Sequence, residues 1–239
     1  MMSRIADNLE KVKNNIQKAA DRAKRSGSEI TLVVVTKAAN LEAIKQVIKL
    51  GCTQLGENRV QHLKIATDDL DQFLKENPQL GQISWHIVGH LQRNKVRQLL
   101  QISRFIHSVD TLRLAEEISK YSAKLDTSPE ILIQVNCSEE AQKYGAPVGA
   151  AVHLAEQIAT MPNIRLAGLM TMAPLTLNKD TIKVSFSRAK ELFEEIKGEQ
   201  IAGDDFKHLS MGMSQDYEIA IEYGATILRI GSAIFTTTP

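Results

Sequence analysis

Strand-like and helix-like segments alternate along nearly the whole chain, and this alternation constrains the fold more than any other feature. An amphipathic stretch comes first, with Ile5, Leu9, Val12 and Ile16 at helical spacing. Residues 31–36 then form an apolar, β-branched run that ends at Lys37. Further strands are predicted around 54–56 and over 83–89, 104–109, 130–136, 164–170, 207–211 and 225–230. Helical patterns lie between them. Asn40 stands as a cap before the stripe Leu41, Ile44, Val47 and Ile48, and Asp110 before Leu112, Leu114, Ala115 and Ile118. Other helices start near Arg59, Gln92 and Pro147 and run over 181–196 and 214–222. Eight strands with intervening helices in 239 residues predict an α/β chain folded as a single (β/α)8 TIM barrel. The opening stretch, 1–28, adds an N-terminal helix packed on the barrel, and 233–239 are left as a tail. An open doubly wound sheet is the competitor. It would carry a glycine-rich GxGxxG loop after the first strand, where Lys37 stands.

No composition break, repeat or low-complexity linker interrupts the pattern, so one domain over 1–239 is expected. The formal net charge is +1, which gives no electrostatic reason to expect nucleic acid or a membrane surface as partner. No stretch is long and apolar enough to span a bilayer. Cys52 and Cys137 lack CxxC spacing and read as reduced thiols in a cytoplasmic protein. The six histidines form no HExxH or HxH cluster, so no metal site is implied.

In such a barrel, functional residues sit at the carboxyl ends of the strands. Lys37 ends the first strand, Glu57 and Asn58 the second and Asn136 the fifth. His86 lies within the third, Ser210 to Ser214 follow the seventh, and Gly231 and Ser232 follow the eighth. A lysine facing two small-residue loops can form a Schiff base with a phosphorylated aldehyde. Pyridoxal 5′-phosphate (PLP) is a group of that kind. The plain alternative for Lys37 is a solvated surface charge. Loops seven and eight are the usual phosphate cradle of a barrel, although Ser214 could equally be a helix N-cap. Arg229 reads either as a donor to the pyridine nitrogen of PLP or as a buried ion-pair partner of Glu57 or another mouth carboxylate.

With these residues in place the chain resembles the PLP homeostasis family (YggS/PROSC-like). The resemblance rests on Val35-Thr36-Lys37, Leu55-Gly56-Glu57-Asn58-Arg59-Val60-Gln61, the run 85–95, and His107-Ser108-Val109-Asp110. It also rests on Gln134-Val135-Asn136, Lys143-Tyr144-Gly145, Gly168-Leu169-Met170 and the runs 209–214 and 229–235. The resemblance implies a fold-type III barrel like the alanine racemase N-terminal domain, with PLP as cofactor. It implies Lys37 as the Schiff-base lysine, Ser214, Gly231 and Ser232 as phosphate ligands, and Arg229 as the pyridine-nitrogen partner. Ser210, Asn58 and His86 fall in motifs at the pocket, and Lys143 matches a second PLP-handling lysine, with a solvated loop charge as its alternative. Departures from the family pattern are Thr36, Asn40, Arg59, His62 and Thr236.

The function expected is intracellular PLP (vitamin B6) and amino-acid homeostasis without robust catalysis. PLP is the ligand, apo PLP-dependent enzymes are candidate recipients, and a monomer is expected. A PLP-dependent amino-acid racemase of the same fold is the alternative, with Tyr144 as the tyrosine to watch. A third reading is a PLP-free barrel enzyme that acts on a phosphorylated aldehyde or ketone through Lys37.

Overall fold

A computed structural model of the chain describes residues 4–236. Eight parallel strands close into one barrel in sequence order. They are β1 (Thr31–Val35), β2 (Gln54–Glu57), β3 (Ser84–Ile87), β4 (Phe105–Val109), β5 (Glu130–Gln134), β6 (Arg165–Met170), β7 (His208–Ser210) and β8 (Ile227–Ile230). Closure sets Val33 opposite Arg229 and Val34 opposite Ile230, which excludes the open doubly wound sheet. Parallel neighbours need a long crossover, and helices supply most of it. The helices are α1 (Arg4–Arg22), α2 (Leu41–Lys49), α3 (Val60–Glu76), α4 (Val96–Leu99), α5 (Leu112–Lys124), α6 (Ala151–Ala159), α7 (Lys179–Gly198), α8 (Tyr217–Glu222) and α9 (Ser232–Phe235).

Successive strand side chains point to opposite faces. One set, including Val34, Leu55, Ile87, Ile106, Ile133 and Ile230, joins the helices in the main apolar core. The other set faces the barrel axis. Between β6 and β7 the backbones approach too closely for any side chain. A Cβ on Gly168, whose φ is +151°, would stand 1.8 Å from the His208 carbonyl oxygen.

The predicted N-terminal helix forms as α1, while residues 1–3 of that prediction lie outside the described residues. It buries Leu9, Val12 and Ile16 on the side of the barrel formed by α8 and α9. Each such side chain contributes about 1.5–3 kcal/mol of gross burial. Asn8 Nδ2 donates to the Ile234 carbonyl at 3.1 Å, and Asn15 Nδ2 to the Tyr217 hydroxyl at 3.1 Å. The helix thus braces the segment that carries the loops after β7 and β8.

Four local expectations need correction. Ser214 does not open a helix: α8 begins at Tyr217, because the chain first turns through Met213, whose N–H donates to Asp216 Oδ1 at 2.6 Å. Asp110 does not cap α5. The N-cap is Thr111, and the Asp110 carboxylate faces His90 Nδ1 at 3.6 Å. The helix expected from Gln92 is a 3-10 turn followed by the single turn α4. The expected tail is helical over Ser232–Phe235, and 237–239 lie outside the described residues. Asn40, in contrast, caps α2 as expected, accepting from the Ala43 N–H at 2.9 Å.

Candidate functional site

A row of polar bonds runs inside the barrel, joining neighbouring strands and, from β4 to β7, strands that are not neighbours. Arg229 on β8 donates from Nη1 to Ser210 Oγ on β7 at 2.7 Å, and from Nη2 to the Thr171 carbonyl beyond β6 at 2.8 Å. Ser210 Oγ lies 2.9 Å from His107 Nδ1 on β4. His107 Nε2 lies 2.9 Å from His86 Nδ1 on β3, and His86 Nε2 lies 2.8 Å from Gln54 Oε1 on β2. Phe105 packs against this row, its ring 4.6 Å from His86 and 4.9 Å from His107 between centroids.

Arg229 is 4% exposed, and no carboxylate pairs with it among the described residues. The anticipated partner Glu57 is engaged elsewhere, accepting from Thr36 Oγ1 at 2.7 Å and from the Asn58 N–H at 3.1 Å. Burial lowers the Arg229 pKa to about 10, with Asp216 pulling the other way, so the guanidinium stays charged at neutral pH. Burying a cation without a paired anion costs several kcal/mol. Such a cost is characteristic of a group kept for a ligand rather than for stability.

The remaining candidates divide between the mouth and the interior. Lys37 follows β1 at the carboxyl end, as expected. It is exposed and lines a cavity of about 200 Å³ with Thr36, Glu57 and His62, between α2 and α3. No hydrogen bond or ion pair engages it among the described residues. Ser214 Oγ accepts from the Ala233 N–H at 3.1 Å, tying the loops after β7 and β8 together. Ser232 is exposed at the start of α9. Gly231 lies against β1, where a Cβ would stand 2.8 Å from the Val35 carbonyl oxygen. That contact brings the eighth loop beside the strand that presents Lys37. Asn58 is half-buried after β2.

Two candidates differ from their sequence reading. Ser210 is fully buried, and its hydroxyl is taken up by Arg229 and His107 rather than offered at the mouth. His86 is likewise interior, two bonds behind Ser210. Lys143 is not a solvated loop charge: its ammonium bonds the Ala173 carbonyl at 2.9 Å and pairs with Glu140. The next residue, Tyr144, stacks on His90 with centroids 4.0 Å apart. Gln54 and Thr171 were not singled out, and His107 was quoted only within a family motif and given no role. For His107 and Gln54 the signal is a polar residue at an axis-facing strand position, whereas Thr171 contributes its backbone carbonyl, which no residue type announces.

The interior histidines are neutral. Burial lowers the His86 pKa from 6.5 to about 4, and pushes His107 well below its usual value with help from His86 and Arg229. Between about pH 6.5 and 4 the unfolded chain therefore binds protons that the folded chain refuses, and stability falls as pH falls. His86 alone accounts for about 2 kcal/mol between pH 7 and pH 5. The expected drop in melting temperature is about 4–8 °C, with His107 adding in the same direction. Thermal unfolding at the two pH values checks this, and an unchanged midpoint would show that these rings are not held neutral.

The alanine racemase N-terminal domain family model matches residues 8–239. A pyridoxal phosphate homeostasis protein of Aquifex aeolicus is 37% identical over 231 residues, 96% of each chain. The chain belongs to the pyridoxal phosphate homeostasis protein family. Among solved structures, an unknown protein from Bifidobacterium adolescentis aligns with a TM-score of 0.90 at 31% identity, over 97% of this chain and 94% of that one. PipY of Synechococcus elongatus PCC7942, with PLP bound, aligns with a TM-score of 0.79 at 28% identity, over 97% and 99%.

The departures from the family pattern are accommodated locally. Thr36 bonds both the Gly56 carbonyl at 3.2 Å and Glu57, and so fastens β1 to β2 just before Lys37. Asn40 caps α2. His62 lines the same cavity as Lys37, and Arg59 is exposed at the start of α3. Thr236 closes α9, its N–H donating to the Ser232 carbonyl at 2.9 Å.

Proposed function

We propose that this chain binds PLP at the carboxyl end of its barrel, holds it through a Schiff base from Lys37, and serves intracellular PLP and amino-acid homeostasis as a carrier. The observation that carries the reading is Arg229, a buried cation with no paired anion among the described residues, two of whose five N–H groups are bonded within them. A flat ring with an acceptor nitrogen fits that donor set. Ser214, Gly231 and Ser232 supply small residues and hydroxyls for a phosphate. The family membership and the PLP-bound PipY relative support the same ligand.

PLP supplies an aldehyde that condenses with an amine, releasing water, and a ring that withdraws electrons. Lys37 supplies the amine. No bond holds its side chain over the α2–α3 cavity among the described residues, so a swing toward the axis would break none. Arg229 stays protonated, donates to the ring nitrogen and leaves it without a proton, which weakens the ring as an electron sink. That favours carriage over catalysis, with apo PLP-dependent enzymes in the cytoplasm as recipients and a monomer as the working form. A racemase needs a second base facing Lys37 across the ring. Tyr144, 58% exposed in the loop after β5, is the residue that reading would use.

The absorption spectrum of the protein mixed with PLP, before and after borohydride, tests the proposal. A yellow protein whose reduced adduct maps to Lys37 is expected. A protein that stays colourless and unlabelled overturns it. Stereospecific amino-acid turnover far above that of free PLP would move the reading to the racemase.

A further inference from the structure

The interior row of bonds has a direction, and one end sets it. An arginine can only donate. Ser210 Oγ accepts from Arg229 Nη1, so its single O–H is left to donate, and the acceptor beside it is His107 Nδ1 at 2.9 Å. His107 then carries its proton on Nε2 and donates to His86 Nδ1 at 2.9 Å. His86 carries its proton on Nε2 and donates to Gln54 Oε1 at 2.8 Å. The reverse order would leave the Ser210 proton, fully buried, with no acceptor. Both rings are neutral, as this order requires.

Asp216 is a carboxylate whose charge acts on Arg229, but no ion pair joins them, and its Oδ1 accepts from the Met213 N–H at 2.6 Å.

We propose that His107, backed by His86 and Gln54, is a positioning residue that acts through Ser210 to hold Arg229 toward the ligand on the barrel axis. The proposal rests on the reading that Arg229 faces PLP.

Two measurements separate it from that reading. The first needs no ligand. Nitrogen-15 spectra of the imidazoles in the PLP-free protein should show His86 and His107 neutral at pH 7, each with a bare Nδ1 and a protonated Nε2. The opposite tautomer, or a charged His107, overturns the proton order. The second is a PLP titration of His107→Leu and His107→Asn. The leucine variant leaves the Ser210 proton unpaired and should bind PLP about tenfold more weakly, with a shifted absorption maximum. The asparagine Oδ1 stands near the place of Nδ1, so that variant should return affinity to within about threefold of wild type and restore the spectrum. A leucine variant with wild-type affinity and spectrum overturns the positioning role. So does an asparagine variant no better than leucine. A wild-type protein that binds no PLP overturns the parent reading and the ligand side of this one, while the tautomers still decide the proton order.

Discussion

Lys37→Ala is expected to abolish the borohydride-trapped PLP adduct completely while leaving stability within about 0.5 kcal/mol of wild type. The first half follows from chemistry: without the ε-amine there is nothing at this site to condense with the aldehyde. The second follows from position. Lys37 is exposed in the turn after β1, and no bond to another group depends on it among the described residues. Mass spectrometry of the reduced protein and a thermal melt check both. An adduct that persists on Lys143 would move the covalent site to the loop after β5, where the Ala173 carbonyl and Glu140 already hold that ammonium. A melting temperature more than about 5 °C lower would mean that Lys37 has a structural role no bond reveals.

Arg229→Met is expected to weaken PLP binding by about tenfold to a hundredfold, the worth of a hydrogen bond to a charged group, while changing stability by only about 1 kcal/mol. Two terms of similar size oppose each other. Removing the guanidinium leaves the buried Ser210 hydroxyl and the Thr171 carbonyl short of a donor, which costs about 1–3 kcal/mol each. It also relieves the desolvation of a buried cation without a paired anion, again several kcal/mol. Methionine fills much of the same volume, so the cavity term is small. Equilibrium titration with PLP and a thermal melt read the two quantities separately. Unchanged affinity would remove Arg229 from the site. A melting temperature lower by more than about 10 °C would show that Arg229 is kept for the barrel rather than for a ligand.

The acid sensitivity expected from His86 and His107 belongs to the same design. A chain of neutral donors and acceptors orients Arg229 without supplying an anion to neutralise it. The chain works only while the rings stay uncharged.

The sequence alone determined the fold. Strand runs rich in Val and Ile at barrel spacing, separated by helical stripes, admit few other topologies. It also placed Lys37, Ser214, Gly231 and Ser232 at one end of the barrel, because strand order fixes which loops share a mouth. The tertiary structure decided what those residues touch. Ser210 reads from sequence as a mouth hydroxyl but turns inward, because the pleat alternates and β7 ends there with its side chain on the axis. Arg229 reads as a possible partner of Glu57. The same pleat leaves Glu57 bonded to Thr36 and gives Arg229 to Ser210 and Thr171. The row from Gln54 to Arg229 joins residues up to 103 positions apart in a single link. No spacing rule reveals it, because it exists only once the barrel closes and brings β4 and β7 to face each other across the axis.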